Sequence, residues 1–218
     1  VYDVVQRSPE WYALRLGLVT GSCAPSMLTE PQKGKSGESA ARRNLRVALA
    51  LERLTGEADE ETFTSRDVKR GEDLEATARR VYESATGRLL QTVGFIKHHT
   101  LAAGCSPDAL WRGGVIDFKC PRPGNHLEYL RADQMPLEYR RQLTHNIWIT
   151  GAQWGEMVSY CPKFPEPLRL CVHRIECSTR DLEAYELTLR AFLLEVDVET
   201  KAIATMANRR TVLEKAVA

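Results

Sequence analysis

Residues 104–121 read Gly-Cys-Ser-Pro-Asp-Ala-Leu-Trp-Arg-Gly-Gly-Val-Ile-Asp-Phe-Lys-Cys-Pro, and this stretch constrains the chain more than any other. Val115, Ile116 and Phe118 are bulky and apolar and follow a Gly113-Gly114 turn, so the spacing predicts a strand over 115–119. Side chains two apart on a strand share a face, which sets Asp117 beside Lys119. Asp108, just after the preceding strand, can converge on the same point. Two carboxylates about 4 Å apart repel by roughly 4 kcal/mol at an effective dielectric of about 20. A hard cation such as Mg²⁺ takes oxygen ligands, relieves that repulsion and gains a phosphate-binding position. Lys119 is then placed to orient or deprotonate an attacking water. A solvated Asp-Lys pair at a strand end is the plainer account of Asp-x-Lys alone.

Other segments offer partners for these acids. In a helix predicted over 71–86, Leu74, Ala78, Val81 and Ala85 form the buried stripe, Tyr82 widens it, and Glu75 lies on the Tyr82 rim. Glu75 is the helix carboxylate best placed to look inward, although a surface pair with Arg79 at i+4 would also suit it. Pro136 starts a second helix, to about 149, whose stripe is Tyr139, Leu143, Asn146 and Ile147 with Gln142 alongside. An inward Gln needs hydrogen-bond partners, either buried backbone or a substrate phosphate and water. Near the start, Ser8 caps a short helix with Pro9 at its first position, ended around residues 15–17. Arg15 and Ser22 flank the Gly-flexed turn that follows, where they can meet an anion or simply face water.

The remaining elements fill in an α/β pattern. Residues 29–39 form a polar, breaker-rich loop whose lysines can touch DNA backbone or solvent. A helix is expected over 40–55, ended by Gly56, then an acidic linker over 57–61 and a basic approach over 66–70. Two β-like runs, 91–97 and 100–105, make a hairpin with His98-His99 at its turn, an antiparallel lead into the strand that carries Asp117. Residues 122–134 read as a loop with a short helix near 126–130. Strands are expected over 152–161 and 168–177, joined by a Pro-rich turn, and Ser178 to Asp181 has capping-box form before a helical tail from 182 to about 216.

With 218 residues, 43% hydrophobic and 27% charged, the chain reads as one globular unit spanning 1–218 with a helical tail from about 179. The net charge of +1 excludes little, since a positive groove can coexist with acids gathered elsewhere. Six cysteines without a Cys-x-x-Cys pair, and no visible signal peptide, point to reduced thiols in a cytosolic protein. No apolar run approaches the roughly 20 residues of a membrane span. Val1 stands where a start methionine would, which leaves room for residues ahead of it.

Ser106-Pro107-Asp108 followed by Asp117-Phe118-Lys119-Cys120-Pro121 resembles the PD-(D/E)xK nuclease motif in the form carried by the phage lambda exonuclease, or YqaJ-type viral recombinase, family. Residues 11–22, reading Trp-Tyr-Ala-Leu-Arg-Leu-Gly-Leu-Val-Thr-Gly-Ser, are similar to that family's N-terminal motif; residues 70–76 resemble its Gly-x-x-x-Glu segment and 139–143 its Tyr-x-x-Gln helix, with Thr144 replacing a second Gln. The resemblance covers most of 8–160. It implies a restriction-endonuclease-like α/β (α+β) fold, a central mixed sheet flanked by helices. It also implies Mg²⁺-dependent 5′-to-3′ exonuclease action on duplex DNA, releasing mononucleotides, with Mn²⁺ as a substitute ion. Asp108, Asp117 and Glu75 would hold one or two ions, Lys119 would activate water, Gln142 would align it, and Arg15, Ser22 and Ser106 would grip a 5′ phosphate. The implied partners are double-stranded DNA with a 5′-phosphorylated end, two further copies in a homotrimer ring and a single-strand annealing protein, in a phage or prophage protein of the bacterial cytoplasm. An endonuclease acting on internal or branched DNA, and a non-catalytic DNA-end-binding protein, are the rival readings. Asp117 where the lambda enzyme has Glu shortens one ligand by about one carbon–carbon bond.

Overall fold

In a computed structural model of the chain, residues 1–34, 36–58 and 66–217 are described, with 66–73 and 211–217 described by their backbone alone. The acidic run over 57–61, the side chains of the basic run over 66–70 and Lys35 of the polar loop fall wholly or partly outside the described residues.

The predicted strand is β5, Gly114–Lys119, and it lies inside a four-stranded mixed sheet. Its neighbours are β4 (Ala109–Trp111), antiparallel, and β6 (Trp154–Tyr160), parallel; β7 (Leu170–Glu176) completes the order β4-β5-β6-β7. The turn between β4 and β5 is Arg112-Gly113 rather than Gly113-Gly114. Both turn residues take positive φ, 39° and 76°, as a tight hairpin requires. Gly114 instead begins the strand, and a side chain there would strike the Trp154 indole.

One central sheet was the expectation, and the structure divides it. A second sheet of three short strands has order β1-β3-β2, from β1 (Val19–Thr20), β2 (Ile96–Lys97) and β3 (Ala103–Cys105). The chain leaves this sheet after Cys105 and enters the other at Ala109. Pro107, which has no N–H to pair, stands between them. β4 pairs with β5 only as far as Ile116, so the Phe118 N–H beyond it is taken by the Asp108 carboxylate at 2.6 Å.

Strand alternation decides what each face of β5 meets. Ile116 and Phe118 pack with Ala78 and Tyr82 of α4 (Arg66–Thr86), while Val115 packs with Leu143 and Ile147 of α6 (Leu137–Thr150). Ala78 and Tyr82 carry the buried stripe of α4, and Ala85, expected within it, is exposed. α5 (Pro123–Arg131) is longer than the short helix expected in that loop, because Pro123 sits in its first turn, where a missing N–H does no harm. On the α4 face of β6, Glu156 is buried. It accepts from the Tyr82 hydroxyl and from Arg88 at 2.8 Å, with Arg174 at 3.6 Å.

α3 (Ala40–Thr55), ended by Gly56 at φ 71°, packs along α7 (Thr179–Val217) beside the smaller sheet. Leu49 and Ala50 meet Leu189, Phe192 and Val196 there, and each large buried side chain contributes about 1.5–3 kcal/mol. Arg42 adds two bonds to Glu195, at 2.6 and 2.9 Å. All six cysteines are free thiols, and no helix among the described residues is long and apolar enough to cross a membrane.

His145 of α6 ties the helices to the smaller sheet. Its Nε2 lies 2.9 Å from the Gly104 carbonyl and must donate; its Nδ1 accepts from the Tyr185 hydroxyl at 2.5 Å. The ring is thus fixed as a neutral tautomer, and burial, with Arg15 nearby, lowers its pKa to about 4. A histidine with a depressed native pKa contributes stability that is whole above the unfolded value of about 6.5 and is lost as pH falls toward the native value. Urea denaturation between pH 7 and pH 4 should show up to about 3 kcal/mol lost from this source. The His145→Gln variant should show a correspondingly flatter pH slope over that window.

Candidate metal and phosphate site

Asp117 and Lys119 lie on the α6 face of β5, as the two-residue spacing requires, and Asp117 is 2% exposed. Asn146 of α6 donates to the Asp117 carboxylate at 3.2 Å. Asp108 enters from the segment between the sheets. Its carboxyl is held well above the usual range, first by burial, then by the charges of Asp117 and Glu75; Lys119 and the Phe118 N–H pull it back. Asp117 is raised too, again mainly by burial with Glu75 adding, against Lys119 and a hydrogen bond with the Asp108 backbone. These acids and Lys119 therefore sit within one another's fields. The Lys119 ammonium also lies 5.3 Å from the centre of the Tyr139 ring.

Glu75 looks inward from α4, seven residues and two turns before Tyr82 on the same face. Its partner is not Arg79, which bonds Glu83, Thr92 and the Leu90 carbonyl, but Arg7 at 2.8 Å. Among the described residues, no three His, Cys, Asp or Glu side chains are gathered closely enough to hold a metal ion. The donor chemistry nevertheless fits a hard divalent cation: half-buried Asp108 and buried Asp117 are carboxylates that resist ionising, and a cation beside them would stabilise their charged forms.

The predicted phosphate residues form a second cluster. α1 (Pro9–Arg15) starts at Ser8, which accepts from the Trp11 N–H at 3.3 Å. Arg15 stacks on the Trp11 ring at 3.9 Å and donates to Thr20 and Ser22, both at 3.3 Å. The Trp11 indole N–H in turn donates to Ser106 at 2.7 Å. One tryptophan thus joins Arg15 to the serine two residues before Asp108. Burial lowers the proton affinity of Arg15, but a guanidinium stays charged, so a partly desolvated cation faces the turn. Gln142 lies beside that turn, its Cγ 3.5 Å from where a Cβ on Gly21 would stand. Thr144 instead bonds the Arg140 carbonyl of its own helix. His98 is a turn residue: its Nδ1 accepts from the N–H groups of Thr100 and Leu101 at 3.2 and 3.0 Å, and its ring stacks on Trp148.

The family model of the YqaJ-like viral recombinase domain matches residues 10–153. The chain belongs to the YqaJ-like viral recombinase family. This YqaJ-like chain is similar to an alkaline exonuclease from Laribacter hongkongensis, with 32% identity, a TM-score of 0.82, and coverage of 93% of this chain and 99% of that one. The same enzyme in complex with dAMP gives a TM-score of 0.83 at equal identity and coverage. A phage related exonuclease from Haemophilus somnus 129PT, 14% identical at a TM-score of 0.66 over 87% of this chain and 96% of that one, shares the fold. No curated protein matches the chain.

Three residues reach this YqaJ-like site without having been assigned to it from sequence: Trp11, Asn146 and Arg7. Asn146 stands on the inward stripe of its helix, and a buried amide with no apolar role is the signal that could have marked it. Its Oδ1 has no hydrogen-bond partner among the described residues and lies where a Gly21 side chain would go. A methyl group at 21 must therefore push Asn146 off Asp117. Gly21→Ala should cost about 1–3 kcal/mol in urea denaturation. In an Asn146→Ala background the same methyl should cost less than about 1 kcal/mol, because the obstructing group is gone.

Proposed function

We propose that this chain is a Mg²⁺-dependent 5′-to-3′ exonuclease that degrades one strand of duplex DNA to mononucleotides. Its coarser part, a nuclease acting on DNA ends, is supported by family membership and by similarity over nearly the whole chain to an alkaline exonuclease. The observation that carries the reading is the convergence of half-buried Asp108 and buried Asp117 with Lys119, joined through Ser106 and Trp11 to the Arg15 cluster. The alkaline exonuclease takes dAMP, a mononucleotide, which agrees with release of single nucleotides here.

Asp108, Asp117 and Glu75 would hold the cation, with Mn²⁺ able to replace Mg²⁺. When bound, it supplies charge neutralisation at the phosphate and lowers the proton affinity of the attacking water. The side chains do the rest. Lys119 orients that water and its ammonium faces the charge developing on the phosphoryl oxygens, while Gln142 aligns the water. Asn146 holds the Asp117 carboxylate in register. Arg15, Ser22 and Ser106 bind the 5′ phosphate, with the Trp11 ring keeping the guanidinium flat and oriented. This grip would place the scissile bond at a fixed distance from the acids. The same reading brings a ring of three chains around duplex DNA and a single-strand annealing partner, which rest on the family resemblance alone.

Digestion of linear duplexes with and without a 5′ phosphate, with products resolved by length, tests this reading. The phosphorylated duplex should be shortened from its 5′ ends to mononucleotides, and the unphosphorylated one degraded at least about tenfold more slowly, the order expected for losing a charged anchor. Covalently closed circular duplex should remain intact; nicking or linearisation of it would favour an endonuclease. Lys119→Ala should reduce turnover by about 10²–10⁴-fold. Cleavage at the wild-type rate would remove Lys119 from the chemistry.

A further inference from the structure

Arg7 is one of two non-glycine residues at positive φ among the described residues, at 70°. That left-handed region suits glycine and strains residues with a Cβ. The strap that ends in Arg7 is firmly seated. Tyr2 exchanges backbone hydrogen bonds with Phe95 at 2.7 and 3.1 Å, and a Gly94 side chain would stand 2.5 Å from the Tyr2 carbonyl and 2.7 Å from the Val4 nitrogen. Gln6 donates to the carbonyls of Val93 at 2.8 Å and Pro107 at 3.1 Å, which fixes the strap directly to the segment bearing Asp108. Residues 3–7 thus form one wall of a cleft of about 660 Å³ whose other wall includes Glu75, Asp108 and Phe118.

At the end of this wall the Arg7 guanidinium meets Glu75 at 2.8 Å, with side chains 43% and 28% exposed. An ion pair open to water to this degree is weak and readily exchanged. The fold itself would be served better by glycine at this backbone conformation, so strain and charge together mark the position as functional. We propose that Arg7 is the resident counter-charge of the metal site: it neutralises Glu75 while no divalent cation is bound, and a cation must displace it before Glu75 joins Asp108 and Asp117. This inference rests on the reading of Glu75 as a metal ligand. It accounts for Glu75 facing Arg7 rather than closing a three-carboxylate cluster with the two aspartates. Arg7 thereby raises the cation concentration at which the full ligand set assembles.

Isothermal titration of the full chain with Mn²⁺, without DNA, tests the inference. Arg7→Gly, which removes the charge and suits the backbone, should bind Mn²⁺ roughly three- to tenfold more tightly than wild type. Arg7→Gln carries the same expectation and guards against any change in the strap, while Arg7→Lys should fall between Arg7→Gly and wild type. Glu75→Gln should weaken binding, and Arg7→Gly added to it should change nothing further. Unchanged or weaker binding in both Arg7→Gly and Arg7→Gln, with Glu75→Gln still weakening it, would overturn the counter-charge while leaving Glu75 a ligand. No effect of Glu75→Gln would overturn the ligand reading of Glu75 and the counter-charge with it.

Discussion

Two carboxylates that resist ionising next to each other, Asp108 and Asp117, are the constraint around which this molecule is built. Burial makes their charges expensive, and the structure compensates with donors it could have used elsewhere. The Phe118 N–H bonds Asp108 instead of a neighbouring strand, and the Asn146 amide bonds Asp117 instead of sitting in solvent. Lys119 offsets part of the remaining repulsion. Even with these donors in place, both carboxyls stay above the usual carboxylate range.

The supporting fold keeps the parts in fixed relation. α4 covers one face of β5 and α6 the other, so an acid from the first helix and an amide from the second approach the same strand from opposite sides. The phosphate cluster is coupled to this assembly by direct contact through the Trp11 ring and indole N–H. The candidate site, spread over residues 7–146, is therefore held together by a few short-range contacts, not by any single loop.

Much of this was legible in the chain because it follows from simple periods. The strand period pairs Asp117 with Lys119, and the helical period sets Glu75 in line with Tyr82, although Tyr82 is fully buried and Ala85, expected in the stripe, is exposed. The division into two sheets was not legible: a proline between two short extended runs reads as a turn, and only the register of β4 shows that pairing stops at Ile116. Asn146 was visible as inward-facing, but its partner lies 29 positions away on a different element, beyond local pattern. Arg7 carried no signal at all, since nothing in a sequence announces that an arginine will adopt positive φ.

The buried Glu156, with Tyr82, Arg88 and Arg174 around it, has a bearing on this site although it lies on the opposite face of the sheet. β6 runs parallel to β5 with Glu156 beside Ile116 and Met157 beside Asp117. A slip of one residue between these strands would invert β6, bringing Glu156 round to the side of Asp117 and turning Met157 toward α4. An extra negative charge would then crowd two acids that already repel, and Arg88 would be stranded without its counter-ion. The arginine clamp thus acts as an error check on strand alignment, penalising the misregistered chain on both sides of the sheet at once.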